Sequence, residues 1–190
     1  MSEQDRDKWN QRYAEDSYHK NNPVVFLEEW LPRLRVGKAL DVACGAGRNS
    51  IFLAQAGYQV DAIDVSPEGL HKARQQAESQ GLNVNWIEHD LDQAFPFDAD
   101  YDLIVVMWFV NLALVTRLCD CLAPGGFLLC EEHLITDQDV IGPGNSDYRV
   151  APGALREAVS GLQVLLYEES IEAASADERV ASARVVGRKN

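Results

Sequence analysis

Between residues 38 and 134, five short apolar runs alternate with stretches whose apolar residues recur at helical spacing. That alternation restricts the chain to an α/β layering with a doubly wound, mostly parallel sheet. The predicted strands are "KALDV", "YQVDAIDV", "VNWIEHDL", "YDLIVVMWFV" and "FLLCEEHL". The fourth is apolar through its centre, as a strand covered on both faces should be. Between them, "RNSIFLAQAG" predicts a helix stopped by Gly57. "SPEGLHKARQQAESQG" predicts a second, with Ser66 as N-cap, Pro67 at the first position and Gly81 as terminator. "LALVTRLCDCLAPGG" predicts a third, ending at Pro124, Gly125 and Gly126.

The flanks add less regular elements. "NPVVFLEEWLPRL" predicts a helix with Asn22 as N-cap and Pro23 at its first position. Residues 136–150 are rich in turn formers and read as a loop. "PGALREAVSGL" is a short helix. "QVLLYEESIE" and "RVASARVVGRK" lie close enough to be an antiparallel pair, which brings the sheet to seven strands. On that hairpin, Glu168 and Glu169 are expected to pair with Arg184. No repeat or linker divides the chain, so residues 1–190 read as a single domain.

The formal net charge of −13 argues against a nucleic-acid partner, whose phosphates need a basic face. No apolar run approaches the roughly 20 residues that a membrane helix requires. "MSEQDRDKWNQRY" is polar and mixed in charge, unlike a signal peptide, so a cytoplasmic location is expected. Cys44, Cys119, Cys121 and Cys130 form no CxxC pair and have no matching histidines. Neither a metal site nor a disulfide framework is expected, only small buried thiols in a reducing compartment.

The stretch "ALDVACGAGRNS", residues 39–50, places Gly45 and Gly47 between a strand and a helix. Such a loop lets a ligand approach backbone. A P-loop would need GxxxxGK, which is absent, and a dinucleotide loop a third glycine where Ser50 stands. Asp41 precedes the glycines and suits a cation better than pyrophosphate. Asp64, at the next strand tip, suits two ribose hydroxyls, and Asp90, at the third, an adenine amino group. Strand carboxyl ends share one rim, so these three acids are expected to converge on one crevice. S-adenosyl-L-methionine, a cationic nucleoside without phosphate, fits that set.

Read together, "LDVACGAGRNS", "VDAIDVS", "HDL", "YDLIVVMW" and "LAPGGFLL" resemble, in order, the motifs of the class I methyltransferase family, over residues 36–132. "GRNS" with "LAQAGYQVDAIDVS" is more narrowly similar to the tellurite-resistance branch, as are the "GP" loop and the "DKWNQRY" segment. The resemblance implies the Rossmann-like methyltransferase fold and S-adenosyl-L-methionine as cofactor. It implies a cofactor site of Asp41, Cys44, Gly45, Gly47, Asp64, Val65, Asp90, Leu91 and Met107. It divides the chain into an N-terminal helical lid (1–35), a cofactor-binding core (36–132) and a substrate side (133–190). The acceptor would be a small molecule such as a thiol or a selenium or tellurium oxyanion, and the protein a monomer or homodimer.

Trp108, at the end of the fourth strand, is a candidate wall of the acceptor pocket, set to stack on the sulfonium side. Trp9 and Tyr13, four apart, share a face of a possible N-terminal helix and are candidate lid residues. Tyr148 and Arg149 fall in the late loop, where Arg149 would attract an anionic acceptor. His133, Tyr13 and Tyr148 are the candidate general bases if the acceptor needs one. Each has a plainer reading as core, anchor, loop or surface. Two other functions fit some of the same motifs: a non-catalytic S-adenosylmethionine sensor or partner subunit, and a nicotinamide-dependent oxidoreductase.

Overall fold

The computed structural model describes residues 3–15, 21–93 and 100–190. Among these residues, seven strands form one sheet: β1 (Lys38–Val42), β2 (Gln59–Asp64), β3 (Asn85–Glu88), β4 (Tyr101–Met107), β5 (Leu122–His133), β6 (Gln163–Ala173) and β7 (Arg179–Arg188). Their spatial order is β3-β2-β1-β4-β5-β7-β6. The first five are parallel, and β7 runs antiparallel to both β5 and β6. Strand order reverses between β1 and β4, so the crevice where such sheets bind ligands opens at the carboxyl ends of β1, β2 and β4.

Among the described residues, six α-helices accompany the sheet: α1 (Glu3–Ala14), α2 (Val25–Trp30), α3 (Arg48–Gln55), α4 (Pro67–Ser79), α5 (Leu112–Asp120) and α6 (Ala154–Ala158). Phe26 and Leu27 of α2, Leu53 of α3 and Leu70 of α4 pack on one face against Leu103, Val105 and Leu129. Leu114 and Leu118 of α5 and Leu155 of α6 pack on the other against Ile104, Val106 and Leu128. β4 alternates between these two cores, which explains its unbroken apolar run.

Local chemistry sets most boundaries as expected. Ser66 caps α4 by accepting the Gly69 amide at 3.1 Å. Gly57 and Gly81, both at positive φ, follow α3 and α4. Three boundaries differ. α2 begins at Val25, not at Pro23, and no side chain of its own segment caps it. Its Val24 amide donates instead to Asn49 Oδ1 on α3 at 3.0 Å, a long-range substitute for the expected Asn22 cap. β5 begins at Leu122 rather than Phe127, because Leu122 pairs with Tyr101 and the register then shifts to Leu103–Phe127. Pro124, Gly125 and Gly126 therefore form an irregularity inside the strand. A Cβ on Gly126 would lie 2.7 Å from the Tyr101 carbonyl oxygen, so the close approach demands glycine. β3 stops at Glu88, two residues short of Asp90.

Among the described residues, no helix is long and apolar enough to cross a membrane. No group of three or more metal-ligating side chains is found among them either. All four cysteines are free thiols, and Cys44, Cys119 and Cys130 are buried. His19 lies outside the described residues.

Candidate functional site

The loop after β1 is built by three unusual backbone positions. Ala43, Gly45 and Gly47 have φ of 54°, 56° and 80°. Gly47 starts α3 in the left-handed region, where a Cβ would lie 2.7 Å from both Ala73 and Trp86. Gly45 faces Tyr13, whose hydroxyl occupies the space a Cβ would take. Side chains at 45 and 47 are thus excluded by sterics and by φ alike.

Two buried carboxylates hold this loop. Asp64, at the end of β2, accepts the Gly45 amide at Oδ2 and the Ser66 amide at Oδ1, both at 2.8 Å. Asp41, one strand over, accepts the Ser50 hydroxyl at 2.5 Å. Burial raises both, Asp41 to about 7 against the opposing Ser50 hydrogen bond, and Asp64 above its ordinary value against the hydrogen bonds from Ser66 and Gly45. Burial also holds the Cys44 thiol well above its ordinary value, so it packs as an uncharged group.

A cavity of about 590 Å³ opens over the strand ends. It falls within the roughly 300–1,000 Å³ of small-molecule sites. One half is walled by Ala43, Cys44, Ala46, Arg48 and Asn49 of the loop, by Asp64 and Val65, and by Trp9 and Tyr13 of α1. The other half is walled by Met107 at the end of β4 and Trp108 and Phe109 after it, His133 at the end of β5, Ile141 and Gly142 of the late loop, and Ala174 and Val180 of the hairpin. Trp108 sits at φ 63°, a costly conformation for a bulky side chain, and meets His133 with ring centroids 4.3 Å apart.

Helix α1 closes the first half. Its Asn10 Oδ1 accepts the Ser66 hydroxyl at 2.6 Å, and Tyr13 packs against Gly69 as well as Gly45. Trp9 and Tyr13 stack with centroids 5.9 Å apart. Lys8 donates to the Tyr148 hydroxyl at 3.3 Å and lies over its ring, tying α1 to the late loop.

The structure thus brings Trp9, Tyr13, Cys44, Asp64, Val65, Met107, Trp108 and His133 to one cavity. The three acids do not converge as expected. Asp41 lies beneath the loop and is bonded to Ser50. Asp90 is in a turn past β3, accepting the Asp92 amide at 3.0 Å, and Leu91 is buried in the core. Gly45 and Gly47 shape the loop without lining the cavity. Arg149 does not reach the mouth: its guanidinium donates to the carbonyls of Pro143, Leu134 and Ile141. Tyr148 is an exposed strap partner, not a cavity wall. Arg184 pairs with Glu131 at 2.7 Å and Glu172 at 2.9 Å rather than with Glu168, its cross-strand neighbour, or Glu169, which accepts the Gly153 amide. The sequence reading missed Phe109, Ile141, Ala174 and Val180. Phe109 was reachable as the neighbour of Trp108, whereas the hairpin residues arrive through a register no local pattern shows.

A doubly wound sheet, a glycine loop at its switch point and an acid at the tip of β2 define a nucleoside-cofactor α/β protein. Residues 39–126 match the family of the methyltransferase domain. The chain is 28% identical to the ubiquinone biosynthesis O-methyltransferase of Methylocella silvestris, over 86% of this chain and 79% of that one. It is 29% identical to the probable S-adenosyl-L-methionine-dependent methyltransferase TehB of Haemophilus influenzae, over 70% of this chain. It spans about half of that relative's length, 49%. The crystal structure of TehB superposes with a TM-score of 0.76 at 24% identity, covering 97% of this chain and 67% of TehB. The N-methyltransferase NodS of Bradyrhizobium japonicum, in complex with S-adenosylhomocysteine, gives 0.74 at 20% identity, with 97% of each chain covered. These last two likenesses speak to the fold. With residues 39–126 matching a methyltransferase domain, the chain resembles class I S-adenosylmethionine-dependent methyltransferases, the TehB branch among them. The cavity suits S-adenosylmethionine, since the Asp64 carboxylate and the stacked Trp9 and Tyr13 rings accommodate a cationic nucleoside.

Proposed function

We infer that the chain transfers a methyl group from S-adenosylmethionine to a small-molecule acceptor. The observation that supports this reading is a single cavity lined both by Asp64 and by the Trp108–His133 pair. When bound, the cofactor supplies an electrophilic methyl on a good leaving group. The chain's own task is then alignment and exclusion of water, worth on the order of 7–11 kcal/mol for well-oriented partners. Asp64 would hold the ribose with oxygen lone pairs left over from the Gly45 and Ser66 amides. Asp41, through Ser50, holds the loop in shape. Trp9 and Tyr13 cover the cofactor half, and Met107 and Trp108 stand at the junction with the acceptor half. Asp90 and Leu91 mark the side where the adenine would lie.

Of the acceptors the branch resemblance suggests, the geometry favours a thiol over a selenium or tellurium oxyanion. Arg149, the intended anion anchor, is engaged by three carbonyls. The NodS and ubiquinone relatives, named for N- and O-methylation, show that other nucleophiles occur in neighbouring proteins. Incubating the purified chain with methyl-labelled S-adenosylmethionine and pooled small thiols, phenols, amines and selenite, then reading label gain by mass spectrometry, tests the function. Label on a small molecule supports it. Binding of the cofactor without label on any compound would favour the sensor alternative.

A further inference from the structure

We propose that the acceptor is a neutral, mainly apolar molecule carrying one ionisable thiol or hydroxyl, and that His133 removes the proton from that group. The inference rests on the methyl-transfer reading above and deepens it. Trp108, Phe109, Ile141, Ala174 and Val180 make an apolar wall on the β4–β5 side of the cavity, and His133 stands among them as an ionisable side chain. Arg48 also lines the cavity, but its charge serves the buried carboxyls of Asp41 and Glu131, and the nearby Arg149 sits behind Gly142 with its donors turned to backbone carbonyls. An oxyanion entering there would surrender its hydration to meet two arginines already committed to other groups. A neutral acceptor loses little, and its apolar body gains by burial.

His133 is held rather than loose. Its ring lies against Trp108 on one side, and a Cβ at residue 142 would come within 3.0 Å of its Nδ1 and Cε1, so Gly142 closes over that edge. Trp108 is itself held at φ 63° by the hydrogen bond its amide donates to the Glu131 carbonyl at 2.8 Å. The next amide, Phe109, donates to the buried Glu132 carboxyl at 3.2 Å. Strain locked by the neighbouring strand β5 is how a wall residue is aimed at a reacting centre. In the step itself, the acceptor's sulfur or oxygen bonds to the methyl carbon. The bond from that carbon to the sulfonium breaks and leaves its electron pair on sulfur. The acceptor proton goes to an imidazole nitrogen of His133.

The test uses the full chain with benzyl mercaptan, a neutral aromatic thiol, and sodium selenite as probes. S-adenosylhomocysteine titration runs alongside. Benzyl mercaptan should be methylated and selenite not. His133→Asn should lower kcat for the mercaptan by about tenfold to a hundredfold, while S-adenosylhomocysteine affinity stays within about twofold, which also reports that the variant folds. Trp108→Ala should raise KM about tenfold. Methylation of selenite but not the mercaptan, neglect of both probes, or a His133→Asn variant with wild-type kcat would each overturn the proposal. Failure of the wild type to bind S-adenosylhomocysteine would instead strike the underlying reading.

Discussion

The Asp64 carboxylate accepts the Gly45 amide at 2.8 Å, joining the tip of β2 to the glycine loop after β1. The same carboxylate accepts the Ser66 amide at the start of α4. One buried side chain therefore sets both the shape of the loop and the cap region of the next helix. Asp64→Ala strands two buried amides, and hydrogen bonds to charged groups are worth about 1.5–3 kcal/mol each at most. The variant should unfold at a clearly lower temperature without ligand and bind S-adenosylhomocysteine roughly tenfold to a hundredfold more weakly. A melting temperature equal to wild type would show that the loop does not depend on this contact.

Arg149→Ala removes the donors that gather the Leu134, Ile141 and Pro143 carbonyls. Hydrogen exchange in residues 134–149 should quicken, and stability should fall by about 1 kcal/mol. Cofactor affinity should not change, and neither should the salt dependence of acceptor binding. A salt-dependent rise in KM confined to anionic acceptors would restore Arg149 to the pocket mouth.

Helix α1 rests on the site through Asn10, Trp9 and Tyr13, none of them part of the sheet. It should open locally more often than the strands beneath it. Limited proteolysis within residues 3–15 should slow several-fold when S-adenosylhomocysteine is added, and Asn10→Ala should weaken that protection. A cleavage rate indifferent to ligand would separate α1 from the cofactor half.

The parallel core was legible in the sequence because its signals are local. The apolar run of β4, the Ser66 cap and the glycines after α3 and α4 each act within a few residues. Asp64 was legible for the same reason, since a strand tip fixes its place. The misplacements share a different cause. Asn49 capping α2, Gly126 against Tyr101, and Arg149 against three carbonyls are contacts across sequence distance. Asp90 was displaced because β3 ends early, and no local breaker at His89 announced it. The hairpin wall of Ala174 and Val180 depends on where β7 docks on β5.

Asp41 gives the pH response. Its folded pKa lies near 7 against an ordinary 3.8, because burial disfavours the anion. A raised carboxyl pKa means stability is fully present below about 4 and is lost as pH rises through about 7. The full shift corresponds to an upper bound of about 4 kcal/mol. Urea unfolding between pH 4 and 8 should show falling stability in the wild type and a flatter profile in Asp41→Asn. Asp64, Glu131 and Glu132 are raised in the same direction and leave some slope. Identical profiles for the two proteins would contradict the buried state of Asp41.

Isothermal titration of the purified chain with S-adenosylmethionine, S-adenosylhomocysteine and NAD tests the central claim most directly, that the cavity over β1, β2 and β4 holds a sulfur nucleoside. Both sulfur nucleosides should bind at one site per chain, compete with each other, and lose affinity together in Asp64→Ala, while NAD gives no heat. NAD binding with no response to either sulfur nucleoside would contradict the account.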